Sequence, residues 1–412
     1  MTAVMPAGVA TARDLVGPAM ATAIARLSPE VRPVAAYHLG LAGVNGHAPV
    51  NGRTGDEGKG ITSASSGPTA PRSASSGPTA PRSASSGPTA PPNAGLGPTT
   101  PPKVPKPADG HAAEGTAQPG GTKPAGSGKA LRPALALLSA RAAEAAPERG
   151  VPAAVAVELV HNFSLLHDDI MDGDTERRHR PTAWTVYGIG AAILAGDAML
   201  ALAQDILLED KGPQGLWAAR CLSVAVQRLI AGQGADLAFE GRDDVTLAEC
   251  QEMAGDKTAA LMACACSIGA IHVGAPPSVA MGLAGFGAHA GQAFQLTDDL
   301  LGIWGSPAVT GKPVRSDLRA RKKSLPVVAA LTAGAAASAE LAALLGQPDP
   351  LSEDDLVRAA GLVEEAGGKD WTENEAAAQL ASAHRCLAET PMPDDVRAEF
   401  AGIAEFITAR QW

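Results

Sequence analysis

The sequence predicts an all-α fold broken by one long low-complexity insertion. Alanine is abundant, aromatic residues make up only 3% of the chain, and Ala, Leu, Val and Met recur without strand-like alternation. Those residue types in that order favour helices. The insertion is marked by repetition: SASSGPTAPR occurs at 63–72 and again at 73–82, and a third copy at 83–92 ends in Pro instead of Arg. At 412 residues, length alone allows two or more domains. The change of composition therefore sets the boundaries: first helices over 11–42, an insertion over 43–128, and an enzyme-sized helical unit over 129–412.

Taken in order, residues 1–10 are expected to fray. Helices follow over 11–42, in one or two pieces broken near Pro18 and Pro33, with Leu15, Met20, Ile24 and Leu27 as an apolar stripe. Arg13 and Asp14 interrupt any apolar core there, so no signal peptide is expected. The Gly/Pro/Ser/Thr-rich segment over 43–128 has too little apolar surface to offset the entropy of ordering it. It is expected to be disordered with polyproline II character, and its ten-residue period is too short for helical solenoid units. From residue 129, helices are expected over 131–146, 153–172, 191–209, 216–232, 246–273 and 278–303. One more is entered at 321–326, and two or three follow over 351–412. No run of about 18 apolar residues free of charge or breakers occurs, so no membrane span is expected.

The chemistry concentrates in residues 158–182, ELVHNFSLLHDDIMDGDTERRHRPT. On a helix, Asp168 and Asp172 share a face one turn apart, and His161 lies two turns back along nearly the same face. Leu159, Val160, Leu166 and Ile170 imply that this helix is largely buried. Buried carboxylates are costly unless a cation compensates them, which points to a divalent metal with a phosphorylated ligand beyond it. A lone DDxxD fits a solvated charge run at a helix end equally well. A second cluster, Gln295 with Asp298 and Asp299, follows another apolar stretch and shifts the balance. Two aspartate helices facing across a cavity suit Mg2+, which prefers oxygen ligands and keeps some water and substrate phosphate. The net charge of −10 argues against nucleic-acid binding, so Arg177 and Arg178 form a local exception suited to a small polyanion. The cysteines (Cys221, Cys250, Cys264, Cys266, Cys386) are odd in number without a CxxC pair, and read as reduced thiols of a cytoplasmic protein.

In their order, these pieces resemble the polyprenyl synthetase family, the trans-type isoprenyl diphosphate synthases. The match runs from Gly128-Lys129-Ala130-Leu131-Arg132-Pro133 through HDDIMD with Arg177-Arg178 and Pro181-Thr182. It continues with Gly196-Asp197, Gly232-Gln233 with Asp236, and Lys257-Thr258. It closes with Phe294-Gln295, Asp298-Asp299, Gly311-Lys312, and Asp317-Leu318 through Lys322, Leu325 and Pro326. No single piece decides; the ordered set over 129–326 is specific.

The resemblance implies an isoprenoid synthase-type helical bundle with a central cavity, assembled as a homodimer. It implies head-to-tail condensation of isopentenyl diphosphate with an allylic diphosphate, aided by three Mg2+ ions. Asp168 and Asp172 match the metal ligands of the first motif and Asp298 that of the second, with Asp169 and Asp299 behind them. Arg177, Lys257 and Lys312, with Gln295 beside them, match the residues that hold the allylic diphosphate. Lys129, Arg132, His161 and Arg178 match those that hold isopentenyl diphosphate. Lys322 matches a basic residue before Leu-Pro, and His167 reads as structural support. Phe163, five residues before Asp168, matches an aromatic floor that stops the growing tail, so a C20 product is expected, with C15 next.

Two positions depart from the family pattern. The second motif, usually DDxxD, reads Asp298-Asp299-Leu300-Leu301-Gly302, and Ala130 stands where many members carry a second basic residue. Both keep open a regulatory or catalytically weak subunit of a partner synthase. A class I terpene cyclase on the same fold is the other alternative, although a cyclase has no need of a second diphosphate site. The insertion reads either as a neutral expanded repeat or as a tether for a docking partner.

Overall fold

The computed structural model describes residues 7–41, 130–178, 180–307 and 313–409, all within one compact unit. The insertion with its expected disorder and docking role, and the substrate-binding candidates Lys129 and Lys312, lie outside the described residues.

Two helices precede the insertion. α1 (Ala7–Ala25) packs on α3 (Leu131–Ala142) and α4 (Val151–Met171), the first two α-helices after the insertion. α2 (Arg32–Leu39) has Pro33 in its first turn, where no N–H is needed, and ends on Gly40 at φ 67. The helix expected over 131–146 stops at Ala142. Glu144 turns left-handed at φ 57, and Pro147 opens a short 3-10 turn (Pro147–Gly150).

After α4 comes a short strand pair. β1 (Glu176–Arg177) and β2 (Arg180–Pro181) pair antiparallel in a two-residue ladder, with Arg178 at φ 54 in the turn between them. α5 (Ala183–Tyr187), α6 (Ile189–Leu208) and α7 (Pro213–Glu240) follow. α7 runs past its expected end, so Gly232 and Gln233 sit mid-helix. α8 (Leu247–Ala254) starts on a capping box in which Thr246 and Glu249 satisfy each other's backbone N–H groups. It passes through a π turn (Gly255–Ala259) into α9 (Ala260–His272).

α9 is apolar nearly all round and forms the middle of the bundle, touching α3, α4, α7 and α10 (Pro277–Trp304). Small residues set the spacing. A Cβ on Gly287 of α10 would lie 2.6 Å from the Met262 carbonyl oxygen, and one on Gly291 would lie 2.7 Å from Ala259 Cα. This explains why an alanine- and glycine-rich sequence with few aromatics builds a dense helical core. The chain ends with α11 (Ser316–Arg319), α12 (Leu325–Thr332), α13 (Ala336–Leu345), α14 (Glu353–Glu365), α15 (Gly368–Glu389) and α16 (Asp394–Thr408). α15 covers the outer side of α10, and α12–α14 close a satellite core around Leu341, Leu356 and Leu362.

Candidate active site

The last turn of α4 delivers the first aspartates. Asp168 is half-buried, Asp172 at the helix cap is exposed, and Asp169 is turned inward at 1% exposure. Burial pushes the Asp168 carboxyl up to about 6; Lys257 opposes this shift and Asp172 adds to it. Asp169 does not face the same way. It accepts a hydrogen bond from Arg177 Nε at 2.5 Å, which ties the hairpin to the helix end.

Lys257 sits on the π turn. Such bulges are costly, and they concentrate at functional sites. Gly232 of α7 makes room for it: a Cβ there would lie 2.8 Å from Lys257 Cα and closer still to its backbone nitrogen. The turn aims Lys257 Nζ at Asp236 Oδ2, 2.5 Å away, and the Thr258 hydroxyl at Gln295 Oε1, 2.6 Å away. Gln295 Nε2 in turn donates to Asp299 Oδ1 at 2.7 Å, and Asp299 Oδ2 accepts the Leu325 N–H at the start of α12, 2.9 Å. Asp299 is thus buried and fully engaged, while Asp298 beside it is exposed. Burial lifts Asp299 to about 6, with Lys322 opposing. Burial disfavours the charge on Lys322, yet Asp299, Asp317, Asp236 and Asp298 around it raise its pKa above the ordinary lysine range. The two aspartate motifs are therefore linked through alternating charges: Asp168, Lys257, Asp236, Lys322, then Asp298 and Asp299.

A second basic group lies behind the first motif. Arg132 Nη1 is 3.2 Å from His161 Nε2, and burial followed by the nearby Arg132 and Arg178 charges depresses the His161 pKa well below its usual value. Arg132 Nε and both polar side-chain atoms of Gln233 are buried with no hydrogen-bond partner among the described residues. Next to this group, a cavity of about 140 Å³ is lined by His38, Arg177, Arg178 and Arg180, together with Asp169 and Thr182. Its concentration of guanidinium groups suits a phosphorylated anion. His38, on α2, was not among the expected site residues. It precedes the insertion, far from the motifs in sequence, and no local pattern marks it. Arg180, stacked 4.5 Å over the Tyr37 ring, lies inside the motif stretch but was not among the expected site residues.

His38 is held neutral. Burial, then Arg177, Arg178 and Arg180, lower its pKa from 6.5 to about 3. Because the folded value is depressed, the unfolded chain takes up this proton first as pH falls. The stability contribution is full above 6.5 and is lost toward 3, so the parent should lose up to about 1.4 kcal/mol per pH unit relative to His38→Gln. Urea unfolding of both proteins at about pH 7 and about pH 5 checks this; a constant difference between them would contradict it.

Phe163 is buried, its ring edge-on to His167 with centroids 5.0 Å apart. His167 Nε2 lies 3.1 Å from the Ile193 carbonyl oxygen and fills a gap left by Gly196 of α6, where a Cβ would lie 2.6 Å from His167 Cδ2. Its placement is that of a packing residue.

Among the described residues, no three His, Cys, Asp or Glu side chains are grouped closely enough to hold a metal on their own. The available donors are carboxylate oxygens on two helices. That set fits Mg2+, which is typically held by one or two carboxylates with water and substrate phosphate, and not by an all-protein cage.

A family model described as polyprenyl synthetase matches residues 119–363. The chain belongs to the polyprenyl synthetase family. It is 50% identical over 287 residues to a (2E,6E)-farnesyl diphosphate synthase of Mycobacterium tuberculosis, covering 69% of this chain and 80% of that protein. It is 44% identical over 288 residues to a geranylgeranyl diphosphate synthase of the same organism, covering 69% and 81%. The crystal structure of a polyprenyl synthetase from Streptomyces coelicolor A3(2) matches with a TM-score of 0.74 at 43% identity, over 97% of this chain and 98% of that one. The all-α, isoprenoid synthase-type fold expected from the polyprenyl synthetase resemblance is the fold found.

Proposed function

We propose that this chain is a Mg2+-dependent short-chain isoprenyl diphosphate synthase. In this reading it joins isopentenyl diphosphate head to tail to an allylic diphosphate. One observation supports it above the others: two aspartate clusters linked through Lys257, Asp236 and Lys322 lie beside a separate arginine-lined cavity. One site thus offers places for two diphosphates.

Asp168, Asp172 and Asp298 would hold the metal, and bound Mg2+ would neutralise charge on the departing diphosphate. Lys257, already aimed into the site, would exchange its bond to Asp236 for a bond to the allylic diphosphate, with Arg177 and Lys312 beside it. Arg132, His161, Arg178 and Lys129 would hold isopentenyl diphosphate. The allylic C–O bond breaks and its electron pair leaves with diphosphate. The isopentenyl double bond then attacks the allylic carbon, and loss of a proton restores a double bond. The apolar helices around the acidic mouth exclude water that would quench the cation. Labelled isopentenyl diphosphate should enter product only when an allylic primer and Mg2+ are both present. Turnover of the primer alone to a hydrocarbon would favour a cyclase.

For chain length, the buried Phe163 supports C20, with C15 next. Phe163→Ala should lengthen the products by one or more C5 units; an unchanged profile by mass spectrometry would remove Phe163 from the role of floor.

We further read the chain as a cytoplasmic homodimer. All five cysteines are free. α6 and α7, packed on one another, expose Leu194 at 60% and Trp217 at 61%. By length and composition alone α6 is also long and apolar enough to cross a membrane, but it carries Asp197 and Asp205 and is 44% buried in the fold. A large exposed apolar face of this kind fits an interface between subunits. Sedimentation should show a dimer that dissociates in Leu194→Asp; a monomeric parent would contradict the assignment.

A further inference from the structure

The hairpin after α4 sets three arginines where stability alone would not put them. Arg177 and Arg180 are partners directly across the β1–β2 ladder, and like charges in that register repel. Arg178 fills the turn between them at φ 54, a conformation that costs a non-glycine residue energy. Burial, and then the Arg177 charge, disfavour the charge on Arg178. All three line the cavity of about 140 Å³, where the one carboxylate among the lining residues, Asp169, is already bonded to Arg177. Glu158 also lies near Arg178, but burial disfavours its charge. Among the described residues, Arg180 has no carboxylate partner.

Arg180 is nonetheless held in place. Its guanidinium stacks over the Tyr37 ring, and its Nη2 donates to the Tyr37 carbonyl oxygen at 3.3 Å, at the C-terminal end of α2 where a cation is favoured. The Tyr37 hydroxyl donates to the Pro181 carbonyl oxygen at 2.9 Å, and the Tyr187 ring packs edge-on against Tyr37 with centroids 5.5 Å apart. Stacking occupies one face of the guanidinium and the carbonyl bond one of its N–H groups, so the rest of the fork can donate to a ligand. A bound polyanion would relieve the repulsion that the free protein bears here. The cavity also reaches toward Arg132 and His161: His38 lines it and acts electrostatically on His161.

We propose that Arg180 is a further binding residue for the diphosphate of isopentenyl diphosphate, and that Tyr37 is the positioning residue that aims it. The inference rests on the synthase reading above and deepens it. Through Tyr37, α2 shapes the site of the second substrate, although it precedes the insertion in the chain.

The test is calorimetric titration of isopentenyl diphosphate into the full chain without Mg2+, alongside steady-state kinetics with both substrates. Arg180→Gln should weaken isopentenyl diphosphate binding and raise its KM by about 10- to 100-fold, the loss expected for one charge-assisted hydrogen bond. The KM for the allylic diphosphate and kcat should change by less than about threefold. Arg180→Lys keeps the charge but not the planar fork and should lose about fivefold. Tyr37→Leu removes the ring beneath the guanidinium. It should weaken binding about fivefold in the parent and cause no further loss in Arg180→Gln, because its effect runs through Arg180. Melting curves show which variants are folded, and Arg180→Lys carries the test if Arg180→Gln is not. Parental affinity in either folded Arg180 variant, or a rise in the allylic KM in place of the isopentenyl one, overturns the inference and leaves the synthase reading standing. A full additional loss from Tyr37→Leu in Arg180→Gln overturns the positioning role. A folded parent that binds isopentenyl diphosphate but elongates no primer overturns the synthase reading, and this assignment with it.

Discussion

Asp168→Ala is expected to lower prenyl transfer by about 10³-fold or more while leaving the melting temperature unchanged or higher. The two halves of this expectation share one cause. Asp168 is half-buried beside Asp172, and its carboxyl is pushed up to about 6. The free protein therefore bears the cost of holding a charge there, a cost that bound metal is placed to offset. Removing the carboxylate relieves the fold and disables stabilisation of the departing diphosphate, the kind of electrostatic term whose loss costs orders of magnitude in rate. Steady-state kinetics and thermal melts on the same preparations check it. A variant that keeps more than about a tenth of the parental rate would show that Asp168 does not hold the metal.

Lys322→Met is expected to destabilise the protein by about 3–5 kcal/mol. Lys322 is surrounded by Asp236, Asp298, Asp299 and Asp317, and Asp299 is itself buried at 5% exposure. Breaking a buried charge arrangement by removing one partner leaves the other charges desolvated and unmatched. Asp299 already carries bonds from Gln295 and the Leu325 N–H, which orient its carboxylate but bring no formal positive charge. Urea unfolding measures the loss. Saturating Mg2+ with inorganic diphosphate should restore part of it, because the ion would supply positive charge to the same carboxylates. A loss below about 1 kcal/mol would mean that solvent screens this cluster and that Lys322 is an ordinary surface lysine.

The helical fold and the placement of the candidate aspartates along their helices could be read from the sequence, because both depend on spacing along single helices. Asp168 and Asp172 one turn apart, and Gln295 followed by Asp299, announce shared helix faces, and both pairs lie where that spacing puts them. Where the site depends on contacts between distant segments, the sequence was silent. His38 enters the arginine cavity from α2, a helix separated from the motifs by the whole insertion. The π turn at Lys257 falls within a span expected as plain helix, since one extra residue in a turn leaves no compositional trace; Gly232, the glycine that admits it, is seen to do so only in the structure. The small hairpin at 176–181 is held by backbone pairing and a left-handed Arg178, features that no hydrophobic pattern encodes.

Product analysis by mass spectrometry tests the central claim most directly. Purified chain, Mg2+ and isopentenyl diphosphate are combined in turn with C5, C10 and C15 allylic diphosphates. The account predicts a prenyl diphosphate of C20, or of C15 where elongation stops earlier, formed by the parent and absent from Asp168→Ala. No elongation of any primer by a folded parent that binds Mg2+ and diphosphate would contradict it.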